Sequence, residues 1–188
     1  MGCGKHVEPG WINADGDPSA PTHIVLAVGD PLPFLDGSLE VVFSEHFLEH
    51  LSFDQACWFM REAHRTLIRG GLFRVSCPDL AFIARVICTG DESWRQLAML
   101  YETIGDHRVG VLTSSNGGGA ESTVNWAFYG HCHKHLWTYD QLVRELRRAG
   151  FAGDVRRCQF GESSVPGAAI EIRQQEAFYS LIAETTKK

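Results

Sequence analysis

The 188-residue chain contains no apolar run approaching the ~20 residues needed to span a bilayer. It has no charged, apolar and small-residue leader at its amino end. Its six cysteines (Cys3, Cys57, Cys77, Cys88, Cys132, Cys158) include no CxxC pair, which removes the common zinc-ribbon and dithiol redox frameworks. Basic residues are in the minority, 17 against 23 acidic ones, for a net charge of -6. A protein so charged has no electrostatic footprint for nucleic acid, and the arginines at 144, 147, 148, 156 and 157 read as the wet face of a helix and a strand. A P-loop, a Ser–His–Asp signature, internal repeats and low-complexity stretches are also missing. These absences set the expectation of a cytoplasmic protein with reduced, mostly buried thiols and no membrane or nucleic-acid partner.

What is present is a hydrophobic content of 44%, normal for a globular fold, in a chain of one-domain length (residues 1–188). The densest information lies between Asp30 and Leu80. The turn Asp36-Gly37-Ser38 leads into the apolar run Val41-Val42-Phe43-Ser44, followed by Glu45-His46-Phe47-Leu48-Glu49-His50. Ser52 and Gln55 have the spacing of a capping box. Ala56, Phe59, Met60, Ala63 and Leu67 then recur on one helical face, and Gly70 suits the left-handed residue that ends a helix. A second apolar run, Leu72 to Cys77, ends at Pro78-Asp79. Strand, crossover helix and strand make the unit of a parallel sheet, whose ligands bind beyond the carboxyl ends of the strands.

Around this unit, strands are predicted over 11–14, ending at Asp15, and over 23–28. Helices are predicted over 80–88 and 94–104. Thr138 and Gln141 have the spacing of another capping box, with Leu142, Val143 and Leu146 as its apolar stripe and Gly150 as its stop. The last strands are placed at 154–160 and 178–184. Residues 114–119 read SSNGGG, a loop by composition, inside an interval (90–126) that suits a lid over a substrate.

The order PLPF, DGS, apolar strand, LEHL, helix, GG and a strand ending in PDL resembles the middle of a class I S-adenosylmethionine-dependent methyltransferase. The opening Gly2-Cys3-Gly4 and Gly10-Trp11-Ile12-Asn13-Ala14-Asp15 is similar to small uncharacterised members of that family, as is the closing stretch from Gly130 to Phe151. The resemblance implies a Rossmann-like, doubly wound, mostly parallel sheet with a carboxyl-terminal antiparallel strand pair. It also implies methyl transfer from S-adenosylmethionine to a small-molecule or sugar-like acceptor. The family has an apolar strand before the glycine turn, at the centre of its sheet. Here only Met1 precedes Gly2, so the first central strand is expected to be truncated, either because the chain is an internal start of a longer protein or because the fold replaces the strand or does without it. Unpaired backbone on its neighbours predicts that the amino terminus, or a second copy in a homodimer, fills the gap.

By that resemblance Gly2, Cys3 and Gly4 form the cofactor turn, Asp15 meets the ribose, and Asp30 meets the adenine beside an apolar wall of Pro31, Leu32, Pro33 and Phe34. Ser44, Glu45 and His46 close the strand facing the methyl-transfer centre, with His46 a candidate base because imidazole titrates near neutrality. Glu49 and His50 read as packing and capping residues. In Gly130-His131-Cys132-His133-Lys134-His135, an extended backbone would put His131, His133 and His135 on one face. His131 and His133 are candidates for acceptor contact or catalysis, and the trio is an alternative metal-binding set. A non-catalytic binding or oligomerisation module of the same fold is the other alternative.

Overall fold

The computed structural model describes residues 1–27, 29–90, 92–103 and 119–188. Its strands are β1 (Ala14–Asp15), β2 (Ile24–Val25), β3 (Leu39–Glu45), β4 (Leu67–Pro78), β5 (Arg156–Cys158) and β6 (Ser180–Thr186). Its α-helices are α1 (Phe53–Thr66), α2 (Leu80–Thr89), α3 (Ser93–Thr103), α4 (Ala120–Tyr129) and α5 (Tyr139–Arg148). β1 and β2 pair parallel as a two-stranded piece, and the other four strands form a sheet in the order β3-β4-β6-β5. β3 runs parallel to β4, whereas β6 is antiparallel to both β4 and β5. This is the expected α/β architecture, with the antiparallel pair at the carboxyl end.

Local chemistry accounts for the elements. The Ser52 hydroxyl accepts from Gln55 N while the Gln55 side chain accepts from Ser52 N, closing the capping box that starts α1. The apolar stripe then faces inward, with Ala56, Phe59, Met60 and Ala63 buried. α1 ends earlier than the Gly70 signal predicts. Thr66 is its last residue, and Leu67 turns straight into β4, because the chain's hydrogen bonds pass to the sheet there. Gly70 instead takes φ 79 inside the strand, where its amide donates to Lys187 O. Thr138 caps α5, accepting from Gln141 N. The strands predicted over 11–14 and 23–28 shrink to two residues each, because Asn13 and Thr22 divert the backbone into side-chain hydrogen bonds.

Phe73, Val75 and Cys77 of β4, with Leu181 and Ala183 of β6, pack under α1 and α5 in the main core. A second apolar cluster joins α2, α3 and α4 to Leu136 and Tyr179. The other face of β4 is polar. Arg74, fully buried, is paired with Glu171 through Nε and lies 3.0 Å from Glu184 through Nη1. Residues 163–171 therefore cover that face by ion pairing and not by helix packing. Six unpaired thiols agree with the reduced expectation, but only Cys77 and Cys158 are buried; Cys88 and Cys132 are exposed. No helix among the described residues is long and apolar enough to cross a membrane. The interval 90–126 holds α3 and the start of α4, and the rest of that predicted lid, with most of SSNGGG, lies outside the described residues.

Removing Arg74 would leave buried Glu171 without its cation and take one partner from Glu184, which keeps Ser163, Ser164 and Arg156. Arg74→Met is expected to cost about 3–5 kcal/mol in urea unfolding, and adding Glu171→Leu should recover part of the loss. Burial opposes ionisation of Glu184, yet the Ser164 and Ser163 hydrogen bonds and Arg156 hold its pKa at about 2 against an ordinary 4.5. A depressed carboxylate stabilises fully above its unfolded pKa. Its contribution should thus be complete above pH 4.5 and fade as pH falls through about 2, a slope that Glu184→Gln should flatten.

Candidate functional site

The sheet's two pieces stand on either side of a cavity of about 300 Å3. Gly10 to Ala14 line one wall, and Leu39, Glu40, Val41, Val42 and Phe43 line the other. Successive residues of a strand point to opposite faces, so five in a row can line one cavity only if the strand's backbone edge forms its wall. The cavity is therefore a slot of strand shape between β1 and β3. Trp11 bridges it with an edge-on contact to Phe43, ring centroids 6.4 Å apart. The Met1 ammonium donates to Phe43 O at 2.8 Å and so supplies one donor to the open edge of β3. Burial there pushes the ammonium down to about 6, against pulls from Cys3 and Asp15 that raise it.

The predicted cofactor residues divide on this geometry. Gly2, Cys3, Leu32 and Glu45 line the cavity; Gly4, Asp15, Asp30, Pro31, Ser44 and His46 do not. The glycine turn is real. Gly2 (φ 72) and Gly4 (φ 55) are left-handed, and both Gly2 N and Cys3 N donate to Ala14 O. A side chain at Gly2 would put its Cβ 2.7 Å from the Phe47 Cβ. Asp15 accepts from Gly4 N at 2.7 Å and from Asp17 N at 2.9 Å, so it ties the turn to β1. Each of its oxygens retains a further lone pair for a hydroxyl. Asp30 and Pro31 are exposed, whereas Leu32 is buried, its backbone held by Glu62 and Arg65. The Ser44 hydroxyl at the end of β3 is buried and has no hydrogen-bond partner among the described residues.

Beyond β3 the site is dominated by charge. Glu45 accepts from Ile172 N and Arg173 N at 3.2 and 3.1 Å, and burial raises its pKa against those bonds. His46 takes a left-handed backbone (φ 46), a strained state for a residue with a side chain. Its Nδ1 lies 3.1 Å from Glu49 Oε1 and 3.1 Å from Glu176 Oε2. Its Nε2 is 2.9 Å from Ser180 Oγ, which itself donates to Glu176 O. Ser180 therefore accepts, so Nε2 carries a proton. Burial works to lower the His46 pKa, but the two carboxylates prevail and raise it. His46 is an imidazolium clamped between acids, an orienting group and not a base waiting for a proton.

Glu49, expected to be a capping residue, is fully buried, and neither carboxylate oxygen makes a well-formed hydrogen bond. Burial would raise its pKa, yet His46, with His50 and His133, holds it below the ordinary value. The extended alternation expected of the histidine segment starts late. Gly130–Cys132 is a 3-10 turn with Cys132 at φ 61, so His131 is not part of an extended run, and its side chain lies outside the described residues. His133 meets His50, ring centroids 5.0 Å apart, while His135 packs against Trp137 and Phe53. Sequence reasoning missed Arg173 and Glu176, which stand in a stretch with no motif. It also missed Trp11 as a slot wall, although its neighbours in the Gly10–Asp15 motif pointed to the region.

Residues 8–75 match a family model described as a methyltransferase domain. The sequence matches no curated protein. Among solved structures, the chain is similar to an S-adenosylmethionine-dependent methyltransferase from Archaeoglobus fulgidus at 11% identity and a TM-score of 0.52, covering 93% of this chain and 74% of that one. A second similar structure is an S-adenosylmethionine-dependent methyltransferase from Thermotoga maritima at 19% identity, TM-score 0.42, covering 84% and 60%. A third is PigF with S-adenosylhomocysteine, at 16% identity, TM-score 0.45, covering 88% and 35%. The chain thus spans between 35% and 74% of the lengths of these three structures.

The packing against Phe47 makes Gly2 testable. Gly2→Val is expected to cost about 1–3 kcal/mol and to speed hydrogen exchange at the Gly4 amide, as the turn lifts from Asp15. Equal exchange in variant and parent would show that the turn tolerates the side chain.

Proposed function

We propose that this chain, whose residues 8–75 match a methyltransferase domain and whose fold is similar to that of an S-adenosylmethionine-dependent methyltransferase, binds S-adenosylmethionine at the carboxyl ends of β1, β2 and β3. There it transfers the methyl group to a small-molecule or sugar-like acceptor. The observation that carries the reading is the convergence of Gly2, Cys3, Leu32 and Glu45 on one cavity of about 300 Å3, a size within the small-ligand range. The orphan Ser44 hydroxyl at the end of β3 adds a buried polar atom in want of a partner.

In this reading the Gly2–Gly4 turn admits close backbone approach, and Asp15 accepts from ribose hydroxyls through its remaining lone pairs. Asp30 meets the adenine edge, with Pro31 and Leu32 as the apolar wall. Ser44 and Glu45 stand at the reacting end. The cofactor supplies a methyl group on an activated sulfonium, and the chain's work is to align the acceptor in line with it and exclude water. His46, committed to Glu49, Glu176 and Ser180, fixes the floor of this site. His133, half-exposed beside His50, is the described histidine on the open side. The net charge of -6 favours a small acceptor over a nucleic acid.

A second reading rests on the slot between β1 and β3. A second copy of the chain that lays a strand there would satisfy the open edge of β3, and the fold would then serve as a binding or oligomerisation module.

Calorimetric titration with S-adenosylmethionine and S-adenosylhomocysteine separates the two. Micromolar binding, weakened at least about tenfold by Asp30→Ala and by Leu32→Asp, is the expected result, each tenfold being about 1.4 kcal/mol. Absence of binding by a folded protein that light scattering shows to be a dimer would leave the second reading standing.

A further inference from the structure

We propose that Glu49, His50 and His133 form a binding site for a divalent transition-metal ion, open on one side to an oxygen ligand. One ligand atom from each of the three residues lies within 4.8 Å of the other two. Metal–nitrogen and metal–oxygen distances of about 2.0–2.2 Å place ligand atoms a little closer than that, so a small side-chain adjustment completes the site.

Three further observations support it. The first is charge. The buried cluster at the end of β3 sets the carboxylates of Glu45, Glu49 and Glu176 against His46 and Arg173. Among the described residues neither Glu49 oxygen makes a well-formed hydrogen bond, although the residue is fully buried and one oxygen stands 3.1 Å from His46 Nδ1. A buried carboxylate whose lone pairs are not taken up by well-formed hydrogen bonds can accept a further cation. His46 is already bracketed by Glu176, whose carboxylate also accepts from Tyr179 Oη and Arg173 Nη1.

The second observation is tautomer. His133 Nδ1 lies 2.6 Å from Ala127 O. A carbonyl can only accept, so Nδ1 carries the proton and the lone pair of the neutral ring is on Nε2. A backbone carbonyl that orients an imidazole through its other nitrogen is the usual support of a metal-ligating histidine. The third is a shared backbone anchor. Glu49 O accepts from Lys134 N at 2.8 Å and from His135 N at 3.2 Å, which locks the segment bearing His133 against the turn bearing Glu49 and His50. The ligands from the two chain segments are thereby held in place before any ion arrives.

Two imidazoles and one carboxylate suit zinc, cobalt, iron or manganese better than magnesium, which favours all-oxygen shells. His50 and His133 are only half-buried, so the ion would keep positions for water or for a ligand oxygen. The set differs from the His131, His133 and His135 trio suggested by the sequence, since His135 is turned against Trp137 and Phe53.

The site is tested on the intact chain by calorimetry with Zn2+ and by visible absorption with Co2+, after chelation and with circular dichroism as a fold control. One equivalent should bind. His50→Ala and Glu49→Gln should each weaken binding about 100-fold and abolish the cobalt spectrum, while His135→Ala leaves both unchanged. Should Glu49→Gln fail to fold, half-exposed His50→Ala decides alone. Sub-stoichiometric binding by the parent, equal affinity in His50→Ala, or loss of binding in His135→Ala would each overturn the assignment. Cofactor titration of the same samples is a separate measurement, so either reading can fail without the other.

Discussion

The pairing of β4 on both of its edges is the constraint that the rest of the molecule answers to. From Gly71 to Pro78 every residue of this strand is buried. β3 lies along one edge and β6 along the other, in register from Leu72 to Pro78. Because β3 is fixed against β4, its last residues are fixed too, and so are Glu45 and His46 beyond the sheet's end. His46 N donates to Ser76 O, which carries the register one step past the strand and forces the left-handed turn that aims the imidazole inward. The charged floor of the site is thus a consequence of a backbone ladder, and the polar back of β4 repeats the theme with Arg74.

The slot between β1 and β3 has the opposite character. β1 and β2 are too short to hold their position by ladder alone. They are tied instead by the His23 ring and the Thr22 hydroxyl, which bond the Asn13 backbone, by Asp15 to the glycine turn, and by Trp11 against Phe43. A rigid half and a loosely tied half therefore share one cavity. That arrangement suits a ligand, or a strand from another chain, that completes the sheet when it enters.

The sequence carried the strong half of this in the open. The β3–α1–β4 unit was legible because its signals agree: the capping box, a helical stripe, and two apolar runs ended by polar residues. The glycine turn and the Asp15 site were legible as motifs, although the exposure of Asp30 was not, because no periodicity places a turn residue relative to a cavity. The floor of the site was hidden for a related reason. Glu176 stands 130 residues from His46 along the chain and Glu171 nearly 100 from Arg74, and neither sits in a pattern. Glu49 looked like a cap because its turn starts a helix. Only the tertiary approach of His133 shows it to be a buried acid.

The position of β6 in the chain bears on how the protein comes to be made. β4 leaves the ribosome more than a hundred residues ahead of β6, yet β6 pairs along one of its two edges. Lys187 then fastens the join between α1 and β4, through its backbone to Gly70 and Gly71 and through its ammonium to Leu67 O. Until that late segment emerges, the central strand of the fold is half-paired and open to other chains. Such non-local closure slows folding and exposes an adhesive edge meanwhile. Yield during synthesis should therefore depend on chaperones that shield β4, even though the finished molecule buries that strand from Gly71 to Pro78.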